Sequence, residues 1–202
     1  MMRSKTEAKR QEILKIAGRM FLTQGYGPVT MAAVAAEVGG SKGTLYGYFP
    51  NKEDLFAAFI REAGEDVFLP LQAEFDASGS AEEILKTFGV NYLKLLLKPD
   101  IIAIIRLVIS ESLRSPELAD IFFDIGPRRV LDRFEHLFDE IKSSGHLNLS
   151  NPARAALEFK VLCEAGLYEP FLLGGRQQPD LLEVEANVDA AVTLIQERYS
   201  HG

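Results

Sequence analysis

Between Gly25 and Pro50 the chain has room for two short helices and nothing longer. GYGP, 25–28, is a turn, and Thr30 is an N-cap in front of MAAVAAEV. Gly39-Gly40 ends that run, Ser41 caps KGTLYGYF, and Pro50 stops it. A helix of about two turns is unstable alone, so neighbours must pin its apolar face. Val34, Ala35 and Val38 are the inward positions of the first piece, and Leu45 with Phe49 is the i, i+4 pair of the second. Two short helices held against a longer one form a helix-turn-helix arrangement.

Helical periodicity and helix punctuation account for the remainder, and strand signals are almost absent. Ser4 with Glu7 reads as a capping box for a first helix carrying Ile13, Ala17 and Phe21 and stopping at Gly25. Asn51 with Asp54 caps a fourth helix whose stripe is Leu55, Phe56, Phe59, Ile60, Ala63 and Val67. Further starts stand at Ser80 with Glu83, at Asp100 after Pro99, at Ser115-Pro116, at Asn151-Pro152 and at Asp180 with Glu183. The segment from Ser115 is interrupted at Gly126-Pro127 and resumes to Lys142; the one from Asn151 runs to Leu173. The expected fold is all-α, with about nine helices.

Net charge is −7, unpromising for a nucleic-acid binder until its distribution is read. Residues 1–52 hold eight bases (Arg3, Lys5, Lys9, Arg10, Lys15, Arg19, Lys42, Lys52) against three acids (Glu7, Glu12, Glu37), leaving −12 for the rest. A basic head is joined to an acidic body. Cys163 is the single cysteine, so no intrachain disulfide forms. The charged N-terminus has no signal-peptide pattern, and the run IIAIIRLVI is broken by Arg106, so a cytoplasmic protein is expected. Nucleophile elbow, Walker loop and GxGxxG are missing, and His136, His146 and His201 are scattered. These observations point away from an enzyme, a metal site or a cofactor.

The outward positions of the second short helix offer Lys42, Gly43, Thr44, Tyr46, Gly47 and Tyr48. Lys42 brings a cation to a helix start, where free N–H groups already favour phosphate. Gly43 leaves room for a phosphodiester backbone, and Thr44 can meet a base edge or a thymine methyl. Tyrosine hydroxyls donate to phosphate. Thr30, Ser41 and Lys52 stand at the first turns of the helices concerned.

The run TMAAVAAEVGGSKGTLYGYFPNKEDL, with Phe21 to Tyr26 before it, resembles the TetR family of transcriptional regulators. Thr30, Val34-Ala35, Gly39, Ser41, Gly43, Tyr46, Tyr48, Phe49, Lys52 and Leu55 fill its pattern. Gly40 and Gly47 depart from it. Residues 80–175 resemble the AefR-like C-terminal domain of one TetR branch. The resemblance implies a DNA-binding domain over 1–52 and a ligand-binding and dimerisation domain over 53–202. It implies a homodimeric repressor on a palindromic operator, released by a small effector.

Pattern then suggests where the body works. Val184, Val188, Ala191 and Ile195 on the last helix, with Ala155, Phe159, Leu162, Gly166 and Leu167 on the one before, offer stripes for a four-helix seam between two copies. The alternative is that these stripes pack only within the subunit. Phe88, Tyr92, Ile105, Ile109, Phe123, Phe134, Phe138, Phe159 and Cys163 are the pocket candidates, fitting an apolar or aromatic effector. Arg106 and Glu111 are its candidate polar anchors, or else a surface ion pair. A dimeric small-molecule or protein-binding module without DNA binding is the other reading of the whole chain.

Overall fold

The N-caps that the sequence suggests between residues 30 and 51 form. In a computed structural model describing residues 2–72 and 79–200, Thr30 Oγ1 accepts from the Ala33 N–H at 3.1 Å and Ser41 Oγ from the Thr44 N–H at 3.0 Å. Asn51 Oδ1 accepts from the Asp54 N–H at 2.7 Å. Ser80 and Asp180 each form a full capping box with the glutamate three residues on. The Val67 side chain and His201 lie outside the described residues.

Eleven helices result, and no strand occurs among the described residues. They are α1 (Met2–Gln24), α2 (Met31–Glu37), α3 (Lys42–Tyr48), α4 (Lys52–Gln72), α5 (Ala81–Leu96), α6 (Pro99–Glu111), α7 (Pro116–Ile125), α8 (Pro127–Ser143), α9 (Pro152–Glu164), α10 (Tyr168–Leu172) and α11 (Leu181–Tyr199). The count exceeds nine for two local reasons. Gly126-Pro127 separates α7 from α8 completely, and Gly166, at φ +74, separates α9 from α10. Two cap assignments change as well. α1 begins at Met2, which puts Ser4 inside its first turn, and Ser115 makes no side-chain cap to α7.

Packing divides the chain into two compact units, Met1–Glu65 with Ala103–Pro127, and Asp66–Ile102 with Arg128–Gly202. The linear boundary at 52/53 therefore does not coincide with the division by packing. α4 and α6 each contribute to both units.

The first unit closes around Phe21, Tyr26 and Phe56. Phe21 meets Phe56 edge-on at 5.4 Å, and Tyr26 meets Phe56 at 5.3 Å. All three are fully buried, and each such side chain contributes about 2–3 kcal/mol of transfer free energy. Leu45 and Phe49 enter the same core, as do Ile104, Leu107 and Val108 of α6. α1 passes so close to α4 that a Cβ on Gly18 would stand 2.4 Å from the Phe59 ring.

In the second unit Phe134 takes Phe88 and Tyr92 edge-on, at 4.7 and 4.8 Å. Phe138 and Phe159 complete that aromatic centre. α11 packs on α5 and α9. The α11 stripe proposed for a seam between copies, Val184, Val188, Ala191 and Ile195, is buried in this core, as are Phe159 and Leu167. The reason is geometric: the most apolar face of α11 is consumed by its own subunit. Leu162 is half-buried and Gly166 is exposed.

Candidate nucleic-acid interface

α3 presents one face outward because the other is spent on the core. Leu45 and Phe49 are 2% and 4% exposed, whereas Lys42, Gly43, Thr44, Tyr46 and Gly47 lie at the surface. Phe49 is the C-cap of α3, and its N–H bonds to the Leu45 carbonyl at 3.0 Å. The turn before α3 is equally fixed. Gly39 adopts φ +68, and the Gly39 and Gly40 N–H groups return to the Ala36 and Ala35 carbonyls, both at 3.1 Å. This is a Schellman ending, and it sets the angle at which α3 leaves α2.

The chemistry of the face is cationic and hydroxylic. Ser41 and Thr44 share a hydroxyl–hydroxyl hydrogen bond at 2.9 Å, which fixes both oxygens at the start of α3. The exposed Thr30 hydroxyl accepts from Ala33 and keeps its own proton for an outside acceptor. Tyr46 is 49% exposed. Tyr48 is half-buried against the core, so only its edge is available.

Lys52 behaves differently from the sequence expectation. Its ammonium lies 3.9 Å from the Tyr26 ring centroid and donates to the Tyr26 carbonyl at 3.1 Å and the Gly27 carbonyl at 3.4 Å. A cation committed to a ring face and two carbonyls is a staple of the α1–α2 turn before it is a phosphate grip. The Tyr26 hydroxyl donates to Glu53 at 3.2 Å. Burial, then the Glu53 carboxylate, pushes that phenol far above its ordinary range, so it remains a donor.

The candidate effector residues do not form one group. Phe88, Tyr92, Phe134, Phe138, Phe159 and Cys163 share the core of the second unit. Ile105, Ile109 and Phe123 belong to the first, and Ile109 and Phe123 are exposed there. Partly buried polar groups that were not anticipated border the core of the second unit. The Tyr92 hydroxyl donates to Glu164, which also takes the Lys160 ammonium at 2.5 Å. Tyr92 and the Cys163 thiol both titrate far above their ordinary values, chiefly through burial and then through Glu164. Of the candidate anchors, Arg106 is exposed, and Glu111 is buried in the first unit beside the Gly25–Gly27 turn.

Sequence reasoning reached one further surface only in part, through Leu162 and Ile195 of the stripes chosen for a seam. The outer faces of α9 and α11 form an open groove of about 730 Å³, with Leu157, Val161, Leu162 and Leu194 among its apolar lining. Glu158 lies at its edge and accepts from Arg154 and Arg198 at 2.9 Å and from the Tyr199 hydroxyl at 2.8 Å. These donors hold the Glu158 carboxyl below its ordinary range, Arg154 contributing most. The i, i+4 pair Leu157 and Val161 was the available signal.

The tetR-family model of bacterial regulatory proteins matches residues 13–59, and the model of the AefR-like transcriptional repressor C-terminal domain matches residues 83–201. The chain belongs to the TetR family. Among TetR relatives, the HTH-type transcriptional regulator YxaF of Bacillus subtilis is 35% identical over 80 residues, 39% of this chain and 42% of YxaF. The HTH-type transcriptional repressor AcnR of Corynebacterium diphtheriae is 43% identical over 54 residues, 27% of this chain and 28% of AcnR. The chain thus spans less than half the length of either relative. The solved structure of the flavonoid-responsive regulator FrrA superposes with a TM-score of 0.83 at 29% identity, covering 96% of this chain and 97% of FrrA. The family and these relatives are regulators, not enzymes.

Proposed function

We propose that the protein is a homodimeric transcriptional repressor that binds a palindromic operator through α3 and leaves it when a small aromatic effector binds the second unit. The observation that carries this reading is the two-sided construction of α3. Its apolar side is locked by Leu45 and Phe49, and its outer side carries Lys42, Thr44 and Tyr46. A seven-residue helix held this way is suited to the major groove. Thr30, Ser41, Lys42, Gly43, Tyr46 and the edge of Tyr48 contact phosphates, Thr44 reads a base, and Lys52 acts by holding the turn. Repression is supported by the matched C-terminal model and by AcnR.

Two copies join through the outer faces of α9 and α11, with Leu157, Val161 and Leu194 replacing the stripe buried in the subunit. The two α3 helices then meet successive major grooves, about 34–36 Å apart. The effector is a planar, largely apolar aromatic compound of the flavonoid type, a class supported by FrrA. It favours a state whose head spacing does not fit the operator.

Sequencing the genomic fragments that the protein retains tests the reading. Palindromic fragments upstream of genes are expected, released by flavonoids but not by aliphatic acids. Retention of random fragments, or of none, contradicts it and favours a binding module without sequence-specific DNA recognition.

A further inference from the structure

Three successive residues near the start of α1 each reach a different helix of the first unit. The Lys9 ammonium donates to the carbonyl of Val38, the C-cap of α2, at 3.3 Å. The Arg10 guanidinium lies 5.8 Å from the ring centroid of Phe49, the buried C-cap of α3. The Gln11 amide donates to Glu62 of α4 at 3.1 Å and to Glu7 of α1 at 3.0 Å. Neighbouring side chains on a helix point about 100° apart, so consecutive positions suit three different partners.

The first two contacts bracket α3. The Schellman ending of α2 uses the Ala36 and Ala35 carbonyls for the Gly39 and Gly40 N–H groups. The Val38 carbonyl is not used by that pattern and accepts from Lys9, at a helix end that favours a cation. At the far end, Phe49 closes α3 through its N–H bond to the Leu45 carbonyl, and Arg10 lies over its ring. α3 therefore runs between two points held from α1, one just before its Ser41 cap and one at its last turn. Gln11 seats the same part of α1 against α4, so the anchor is itself fixed.

Lys9 and Arg10 are half-buried, whereas Lys15 and Lys42 are exposed. Lys9 also pairs with Glu12 at 2.9 Å and Arg10 with Glu7 at 3.5 Å. Their charge is offset locally before any DNA arrives.

The geometry assigns Lys9 and Arg10 as positioning residues for DNA recognition. They set the angle of α3 by holding the turn before it and the cap after it, and they do not contact phosphate. This role rests on the reading that α3 binds DNA, which retention of a genomic fragment by the wild-type protein tests separately.

The experiment uses the full chain, a genomic fragment that it retains, and a scrambled fragment of the same length and composition. Affinity for both is measured across salt concentrations in the wild type, Lys9→Met, Lys9→Arg, Arg10→Met and Lys42→Ala. Methionine keeps an unbranched apolar stem and removes the charge. In Lys9→Met and Arg10→Met the retained fragment is expected to bind about fivefold to tenfold more weakly, with the salt slope of the wild type. Binding to the scrambled fragment stays within about twofold. Lys9→Arg keeps a cation that reaches the Val38 carbonyl and restores the preference for the retained fragment. Lys42→Ala makes the slope shallower on both fragments. A slope in Lys9→Met or Arg10→Met as shallow as that of Lys42→Ala marks a phosphate grip and overturns the assignment. Unchanged binding to the retained fragment overturns it too. So does an equal loss on both fragments that tracks a lower melting temperature, because that marks a structural role alone. A wild-type protein that does not prefer the genomic fragment overturns the reading of α3 and this role with it.

Discussion

Gly47 has no steric need to be glycine. Nothing lies within 4 Å of the Cβ it lacks, and its φ is not positive. In mid-helix it costs about 0.5–1 kcal/mol against alanine. Gly47→Ala is expected to raise the melting temperature of the protein while leaving operator choice unchanged, by thermal melts and competition between DNA fragments. A large polar residue at 47 is expected to change operator choice, because it adds a side chain to the face carrying Thr44 and Tyr46. Gly18 is the opposite case. A Cβ there would sit 2.4 Å from the ring of Phe59, so Gly18→Ala is expected to destabilise by about 1–3 kcal/mol in urea unfolding. Thr30, Ser41 and Asn51 were legible in the sequence because an N-cap is a bond across three residues. The staple by Lys52 was not, because its partner lies 26 residues away and the motif names only the residue type. Glu111 was noticed for its charge inside an apolar helix, but not for its place at the turn.

At the scale of elements, helix existence followed from periodicity and caps, and the surplus helices came from breaks at Gly126-Pro127 and Gly166 whose completeness depends on tertiary packing. Which face of α9 and α11 serves which purpose was not legible, since both helices carry apolar residues on two faces. Val188 is fully buried within the subunit, whereas Val161 is 61% exposed. The account therefore predicts different outcomes for the two valines. Val161→Glu is expected to convert the dimer to a folded monomer with unchanged helical circular dichroism and weak operator binding, read by light scattering and gel shift. Val188→Ala is expected to keep the dimer and lose about 2–3 kcal/mol of stability, by denaturant titration. Loss of the dimer in Val188→Ala alone would return the seam to the stripe first chosen from the sequence.

For the whole molecule, the charge division reconciles a net charge of −7 with DNA binding. The excess of bases lies in residues 1–52, where the exposed Lys42, Thr44 and Tyr46 face is found. The all-α class and the head were readable because local rules dictate them. The effector site was not, because the aromatic residues that would line a pocket are the same ones that build a core, and six of the nine candidates form one. Recognition of phosphates by two heads releases counterions, so the logarithm of the affinity must fall linearly with log salt, with a slope on the order of −4 or steeper. The most direct measurement is a salt titration of binding to a retained genomic fragment, with Lys42→Ala beside the wild type. The account predicts the steep slope for the wild type and a shallower one, by about 1–2, for the variant. A protein that retains no fragment even at low salt, or a slope that Lys42→Ala leaves unchanged, would contradict it.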